Sequence, residues 1–97
     1  MLSTTWDELW KLLRTDPLQR DVFYRLSVLT YELGDVHKAV VYKHYYGDTG
    51  THAELKVALA DLFAQLYIFC LSQGLDVEEL EKLGLKRLGA FVTRRVR

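Results

Sequence analysis

The sequence has few of the residues that would assign it to a specialised structural class. Its 97 residues include one proline and one cysteine, Cys70, so an intrachain disulfide is excluded. The sequence has 13 lysine and arginine residues and 13 aspartate and glutamate residues, so its formal net charge is zero. A strong overall electrostatic attraction to nucleic acid or to membranes is therefore excluded. We expect one domain over 1–97, with a modest core that partner subunits would extend.

The chain also lacks a long uncharged segment and a glycine-rich phosphate loop. Its longest uncharged run, 62–75, is shorter than the roughly 20 residues that cross a bilayer. The first residues lack the basic and then apolar stretches of a signal peptide. The segment 47–50 contains two glycines but neither the spacing nor the lysine of a phosphate-binding loop. We therefore expect a soluble, cytoplasmic protein that does not bind membranes.

Capping and turn residues divide the chain into four predicted helices. These cover about 6–14, 17–46, 52–73 and a stretch that begins near residue 77. The residues expected to cap their first turns are Thr5, Asp16, Thr51 and Asp76. Gly74 is expected to end the third helix. The pattern predicts an all-α fold, a four-helix bundle.

The two long predicted helices carry apolar residues three and four apart, as helices in bundles do. The predicted seam of the second helix is Val22, Leu26, Leu29, Leu33, Val36 and Val40, and that of the third is Leu55, Leu59, Leu62, Leu66 and Phe69. The third helix is apolar on its other sides too, which is typical of a central helix. Because four short helices cannot cover such a helix, we expect a homodimer or a homotetramer.

Asp61 is the one charged residue in the apolar segment 57–72. An ionised carboxylate is costly to bury unless a cation, a metal ion or hydrogen bonds compensate its charge. The sequence therefore predicts a compensating partner for Asp61, either a metal ion or an arginine of another subunit.

Glu32 and Asp35 are candidates to share that metal ion. They are three residues apart and so are neighbours on one face of the second helix. If the second and third helices pack antiparallel, Asp61 can approach both, and three carboxylates suit Mg²⁺ or Mn²⁺. The alternative is that Glu32 and Asp35 belong to an ordinary solvated face, and that Glu54 merely completes the capping box at Thr51.

These acidic residues belong to two segments with the character of a known motif pair. LTYELGDVHKAV contains Glu32 and Asp35, and ALADLFAQLYIFCLSQGLDVEEL contains Asp61. Over about 26–87 the chain resembles the MazG-like all-α nucleoside triphosphate pyrophosphohydrolases, which carry Glu-Glu-x-x-Glu on one helix and Glu-x-x-Asp on the next. Tyr31 and Ala58 stand where that family has glutamates.

The resemblance implies a hydrolase with a MazG-like bundle completed by dimerisation or tetramerisation. Its activity would be the Mg²⁺-dependent cleavage of nucleoside triphosphates to monophosphate and pyrophosphate, with a housecleaning role for non-standard or excess nucleotides. The implied metal ligands are Glu32, Asp35 and Asp61. An activated water would attack between the α- and β-phosphates. Mn²⁺ is the alternative metal.

Further residues are predicted to complete this site. Glu54 lies one turn before Ala58, so we predict that it replaces the missing glutamate as a fourth ligand or as a base, with Glu32 as the other catalytic residue. The residues predicted to bind the substrate's phosphates and base are Lys38, Lys82, Lys86, Arg87 and Trp10. For each of these cations the alternative is a solvated surface charge, and for Trp10 it is a core position.

Two other functions stay open. The loss of acids at Tyr31 and Ala58 favours a non-catalytic relative that senses nucleotides or serves as a regulatory or assembly subunit. The cations after Glu81, with no acid among them, suggest a helical adaptor that binds nucleic acid. No interleaved aromatic residues or known nucleic-acid motif accompany them, so nucleic acid is not a favoured partner.

Overall fold

The chain is entirely helical in the residues that the computed structural model describes, 5–46 and 51–96. Five helices follow one another with no strand between them in these two ranges. They are α1 (Trp6–Leu13), α2 (Pro17–Arg20), α3 (Val22–Tyr46), α4 (Thr51–Ser72) and α5 (Val77–Val96). The all-α prediction is confirmed. The predicted turn at 47–50 and the capping box at Thr51 lie outside the described residues and side chains.

Three of the predicted caps are present. The Thr5 hydroxyl accepts a hydrogen bond from the Glu8 backbone N–H at 3.2 Å, at the start of α1. The Asp16 carboxylate accepts one from Leu18 at 2.9 Å, and the Asp76 carboxylate accepts one from Glu78 at the same distance. Gly74, two residues after the end of α4, has a φ of +69°, in the left-handed region that favours glycine. Local side-chain chemistry therefore fixes these helix ends.

The predicted second helix is two helices, so the expectation of four was wrong. Asp21 has extended backbone angles and separates α2 from α3. Its carboxylate accepts hydrogen bonds from the backbone N–H groups of Phe23 at 2.9 Å and Tyr24 at 3.0 Å. An aspartate can satisfy free N–H groups in this way instead of continuing a helix. The apolar pattern did not reveal the break, because the seam begins only at Val22.

The α3–α4 pair is the body of the molecule, and it packs more extensively than any other pair of helices. The face of α3 that it buries is rotated from the predicted seam. Arg25 and Ala39 are buried on α3, and Glu32 and Asp35 are half-buried. The seam residues left exposed are Val22, Leu26, Leu33 and Val40. The face of α3 that contacts α4 therefore carries polar and small residues, although the apolar periodicity predicted that the seam would make this contact.

Helices α1 and α5 pack on α4, and α2 packs on α3. The ring of Trp6 on α1 stacks on that of Tyr67 on α4, with ring centres 5.0 Å apart and planes 9° from parallel. The Tyr67 hydroxyl also donates a 2.7 Å hydrogen bond to Glu81, near the start of α5. Tyr67 therefore joins three helices.

Helix α4 keeps much of its apolar surface exposed in the single chain. Ala58, Ile68 and Cys70 are buried, whereas Val57, Phe63 and Leu66 are exposed. By length and composition alone, its segment Glu54–Ser72 would suffice to cross a membrane, a test that the core helices of soluble proteins also pass. An apolar helix with this much open surface calls for a further covering element.

Candidate functional site

A cleft of about 660 Å³ lies between α3 and α4. Each helix contributes one stripe of residues spaced three, four and seven apart, which places them on a single helical face. The lining residues are Asp35, Lys38, Ala39 and Tyr42 on α3 and Glu54, Val57, Ala58 and Asp61 on α4. The predicted convergence of the two helices therefore produces an open space with acidic walls.

The space exists because each stripe has an alanine at its centre. Ala39 and Ala58 are both buried in the contact between the helices. A methyl side chain fills little of the gap between two helices, so the longer residues around the alanines form the walls. Ala58 is also the position where the MazG-like motif has a glutamate, and its side chain supplies no metal ligand.

Asp35, Glu54 and Asp61 line the cleft together, and Glu32 lies one turn before Asp35 on α3. Partial burial raises the pKa of Glu32 above its ordinary value, and the nearby charges of Asp61 and Asp35 raise it further. The structure thus places the three predicted metal ligands within electrostatic reach of one another.

Asp61 is exposed, which contradicts the expectation that it is buried among apolar residues. The side of α4 that carries Asp61 faces the open cleft. Water can therefore solvate the carboxylate in the single chain, and the predicted arginine or metal partner is not required for folding.

Lys38 alone carries a positive charge among the described residues that line the cleft. Its ammonium nitrogen lies 5.6 Å from the centre of the Tyr42 ring, a distance that permits a cation–π interaction. The cleft therefore pairs one cation and one aromatic face with its acidic residues.

The other predicted substrate-binding residues do not line this cleft in the single chain. Lys82, Lys86 and Arg87 lie on α5 and are exposed. Trp10 is half-buried on α1, a helix that packs on α4 through the Trp6–Tyr67 stack. Tyr42, rather than Trp10, lines the cleft.

The carboxylates fit a metal ion by chemistry, and they are not gathered into a ligand cluster. Carboxylate oxygens are the ligands that Mg²⁺ and Mn²⁺ prefer. Within 5–46 and 51–96, no three histidine, cysteine, aspartate or glutamate side chains are close enough to hold a metal ion together. Glu54 and Asp61 are exposed, so their side chains are free to rotate toward a cation.

A second cavity, of about 320 Å³, lies between α4 and α5. Its lining is mostly apolar and comprises Phe63, Leu66, Tyr67, Cys70, Val77, Leu80 and Glu81. Burial raises the pKa of the Cys70 thiol, which keeps it protonated and makes it a poor nucleophile. The cavity therefore offers no reactive thiol.

Sequence reasoning missed two buried polar side chains, one on α3 and one on α4. Arg25 is 4% exposed, and its Nε and Nη1 atoms have no hydrogen-bond acceptor. Its guanidinium lies 5.6 Å from the centre of the Tyr24 ring, and burial lowers its pKa. The Oε1 atom of Gln65, one turn after Asp61, is also buried without a donor. Arg25 is seven residues before Glu32, and this spacing was the one signal that could have placed it on the contact face.

Comparisons with models of protein families, with curated proteins and with solved structures give no match to this chain. The resemblance to the MazG-like family therefore rests on the motif residues quoted above.

Proposed function

We propose that the chain is a Mg²⁺-dependent nucleoside triphosphate pyrophosphohydrolase whose site is the α3–α4 cleft, with Mn²⁺ as the alternative metal. The observation that carries this proposal is the presence of Asp35, Glu54 and Asp61, from two helices, on the walls of one cleft beside Lys38. The volume, about 660 Å³, is within the range of small-molecule sites. The MazG-like resemblance of the same residues supports the assignment.

In this proposal the carboxylates hold the metal and position the water. Glu32, Asp35 and Asp61 are the ligands, and Glu54 approaches from the position one turn before Ala58. Bound Mg²⁺ would neutralise the charge that develops on the phosphate oxygens. Glu32 and Glu54 are the proposed proton acceptors for the attacking water.

Lys38 and Tyr42 supply the remaining contacts with the substrate. The Lys38 ammonium binds a phosphate oxygen as a compact point charge. The Tyr42 ring presents a face on which a nucleobase can stack. Lys82, Lys86, Arg87 and Trp10 stay predicted substrate contacts that a second copy of the chain would have to supply.

Pyrophosphate release from a panel of canonical and modified nucleoside triphosphates tests the proposal. The full chain is assayed with Mg²⁺, with Mn²⁺ and with neither, beside Asp61→Asn. The matched control is Asp7→Asn, which makes the same chemical change on an exposed residue of α1. We expect metal-dependent release that Asp61→Asn lowers at least about a hundredfold and that Asp7→Asn leaves unchanged. Equal release by both variants would place the chemistry elsewhere.

A non-catalytic nucleotide-binding protein is the second candidate, and Ala58 is the observation that favours it. The cleft wall has a methyl group where the family motif has a metal ligand, and the described carboxylates are not clustered. Calorimetric titration with a nucleoside triphosphate and Mg²⁺ separates the two candidates. Binding without pyrophosphate release from folded protein would establish this one as a regulatory, sensing or assembly subunit.

We further propose that the working form is a homodimer or a homotetramer. Four of the six seam residues of α3 and several apolar residues of α4 are exposed in the single chain. Burial of such surfaces drives subunit association. Sedimentation velocity over a range of protein concentrations measures the assembly, and a monomer at every concentration would contradict it.

A further inference from the structure

The cavity between α4 and α5 lies on the side of α4 away from the α3–α4 cleft. Phe63 and Leu66 line the cavity, and by helical spacing they lie about half a turn around α4 from Glu54 and Asp61, which line the cleft. The two spaces share none of their described lining residues. A ligand of the cavity would therefore leave the proposed hydrolase site open.

The cavity has the size and the lining of a small-molecule site. Its volume, about 320 Å³, lies at the lower end of the range for such sites. Cys70 is 7% exposed and Val77 is half-buried, whereas Phe63 and Leu66 are exposed, so the cavity has a buried side and an open side. An apolar group that enters it removes apolar surface from water, which is favourable. The lining therefore favours a ligand with an apolar body.

Glu81 carries the one charge among the described residues that line the cavity. Its carboxylate accepts the 2.7 Å hydrogen bond from the Tyr67 hydroxyl, and the Tyr67 ring is stacked on Trp6. This hydrogen bond raises the pKa of the Tyr67 phenol, which keeps the phenol protonated as a donor. Tyr67 therefore holds the carboxylate beside the cavity.

The Glu81 carboxylate has hydrogen-bonding capacity that the chain does not use. An ionised carboxylate offers about four acceptor positions, and Tyr67 occupies one of them. No cation among the described residues forms an ion pair with it. Because Glu81 is exposed, an ammonium group beside it would keep part of its own hydration, which limits the cost of desolvation. Such a group would donate charge-assisted hydrogen bonds to the carboxylate.

We propose that this cavity binds a small organic amine, whose apolar body enters between α4 and α5 and whose ammonium group donates hydrogen bonds to Glu81. The ligand then matches the apolar lining with its body and the single negative charge with its cation. A neutral molecule would leave the carboxylate to water alone, and an anion would be repelled by it. A metal ion does not fit, because one carboxylate among apolar side chains supplies too few oxygen ligands.

NMR titration of the methyl groups in the full chain tests this site with three matched probes. They are 3-phenylpropylamine, 3-phenylpropanol and 3-phenylpropanoate, which share a ring and a similar chain but are cationic, neutral and anionic at neutral pH. We expect the methyl signals of Leu66, Val77 and Leu80 to shift with the amine. The amine should bind about two- to fivefold more tightly than the alcohol, since an exposed ion pair contributes modestly, and the anion should bind most weakly. Added salt should reduce the preference for the amine.

Glu81→Gln isolates the contribution of the charge. The amide keeps an oxygen that can accept the Tyr67 hydrogen bond, so the ratio of the amine and alcohol affinities should fall to about one while the alcohol binds as before. The matched control is Glu79→Gln, which makes the same change on the opposite side of α5 and should leave the ratio unchanged. Circular dichroism checks that both variants keep their helix content.

Several results would overturn the proposal. They are equal affinities of the wild type for the amine and the alcohol, a preference for the amine that Glu81→Gln leaves intact, and the absence of a saturable shift with any probe. Shifts at Val57 and Ala58 instead would place the amine in the acidic cleft. Shifts of the cavity methyls that follow protein concentration without any probe would identify a second copy as the occupant. The titration does not measure pyrophosphate release, so its failure and that of the hydrolase proposal are distinguishable.

Discussion

At the scale of single residues, Glu32 links the candidate site to stability. Its pKa is raised by burial and by the charges of Asp61 and Asp35, so the folded chain holds its proton more tightly than the unfolded chain does. Its ionisation therefore opposes folding, and this penalty grows as the pH rises through the folded-state pKa. A bound cation would reverse the effect, because it favours the ionised form.

Glu32→Gln should accordingly stabilise the metal-free protein at neutral pH. We expect a gain of at most about 1 kcal/mol in the free energy of unfolding at pH 7, which disappears below about pH 4, where the wild-type carboxyl is protonated in both states. Urea denaturation at the two pH values measures it. Adding Mg²⁺ should stabilise the wild type more than the variant, and equal responses to Mg²⁺ would remove Glu32 from the metal site.

Ala58 is the residue at which the glutamate of the MazG-like motif can be introduced. Ala58→Glu places a carboxylate in the cleft wall, where burial beside the acidic residues makes it unfavourable without a cation. We expect a loss of about 1–3 kcal/mol without metal and a larger stabilisation by Mg²⁺ than in the wild type. Thermal unfolding with and without Mg²⁺ measures both. Ala58→Gln is the matched control, and the same response from both variants would argue against a metal in the cleft.

Arg25 is a second buried group with an unmet requirement. Two of its nitrogens have no acceptor, and the nearby Tyr24 ring compensates the charge only in part. Replacing an unpaired buried charge with an apolar residue of similar length often stabilises a protein. We expect Arg25→Met to raise the free energy of unfolding by about 1 kcal/mol, as urea denaturation would show. A loss of more than about 1 kcal/mol would mean that the guanidinium contributes a stabilising contact in solution.

At the scale of elements, Asp21 decides that the chain has five helices. Its carboxylate receives the N–H groups of Phe23 and Tyr24 and starts α3. Asp21→Ala removes this cap and should lower the free energy of unfolding by about 1 kcal/mol, measured by urea denaturation. Asp21→Asn keeps an accepting oxygen and should lose less. If Asp21→Ala is as stable as the wild type, a single continuous helix in place of α2 and α3 would be as stable as the two separate helices.

The elements also show what the sequence could and could not predict. Helix starts at Thr5, Asp16 and Asp76 follow from local hydrogen bonding, which the sequence states directly. The contact face of α3 could not be predicted from local hydrogen bonding. Both its apolar seam and the stripe through Arg25, Glu32 and Ala39 could contact another helix, and the fold decides which face α4 covers. Apolar periodicity identifies a stripe whose burial is favourable, but it does not show whether the same chain or another one covers that stripe.

The candidate site shows the same division. Helical spacing predicts that Glu32 and Asp35 are neighbours, and the packing of α4 on α3 brings Asp61 close to both. The open space beside Ala39 and Ala58 was not predicted, because an alanine leaves such a space only where the residues around it are larger. The sequence also could not predict that the α5 cations do not line the cleft. Helical spacing relates residues within one helix, and it does not relate Lys82, Lys86 and Arg87 to the cleft residues on α3 and α4.

At the scale of the whole molecule, the single chain leaves apolar side chains uncovered on α3, α4 and α5, which supports the proposed homodimer or homotetramer. A contact between two copies through one of these helices would make a dimer. In the proposed tetramer, a second contact through another of them would join two dimers, because each contact closes on its own two-fold axis.

The stability of this protein should therefore depend on its concentration. If folding and association are coupled, mass action makes the midpoint of thermal unfolding rise with protein concentration, by a few degrees for each tenfold increase in a domain of this size. Differential scanning calorimetry over a hundredfold range measures this slope. A midpoint that stays constant over this range would contradict the proposed association.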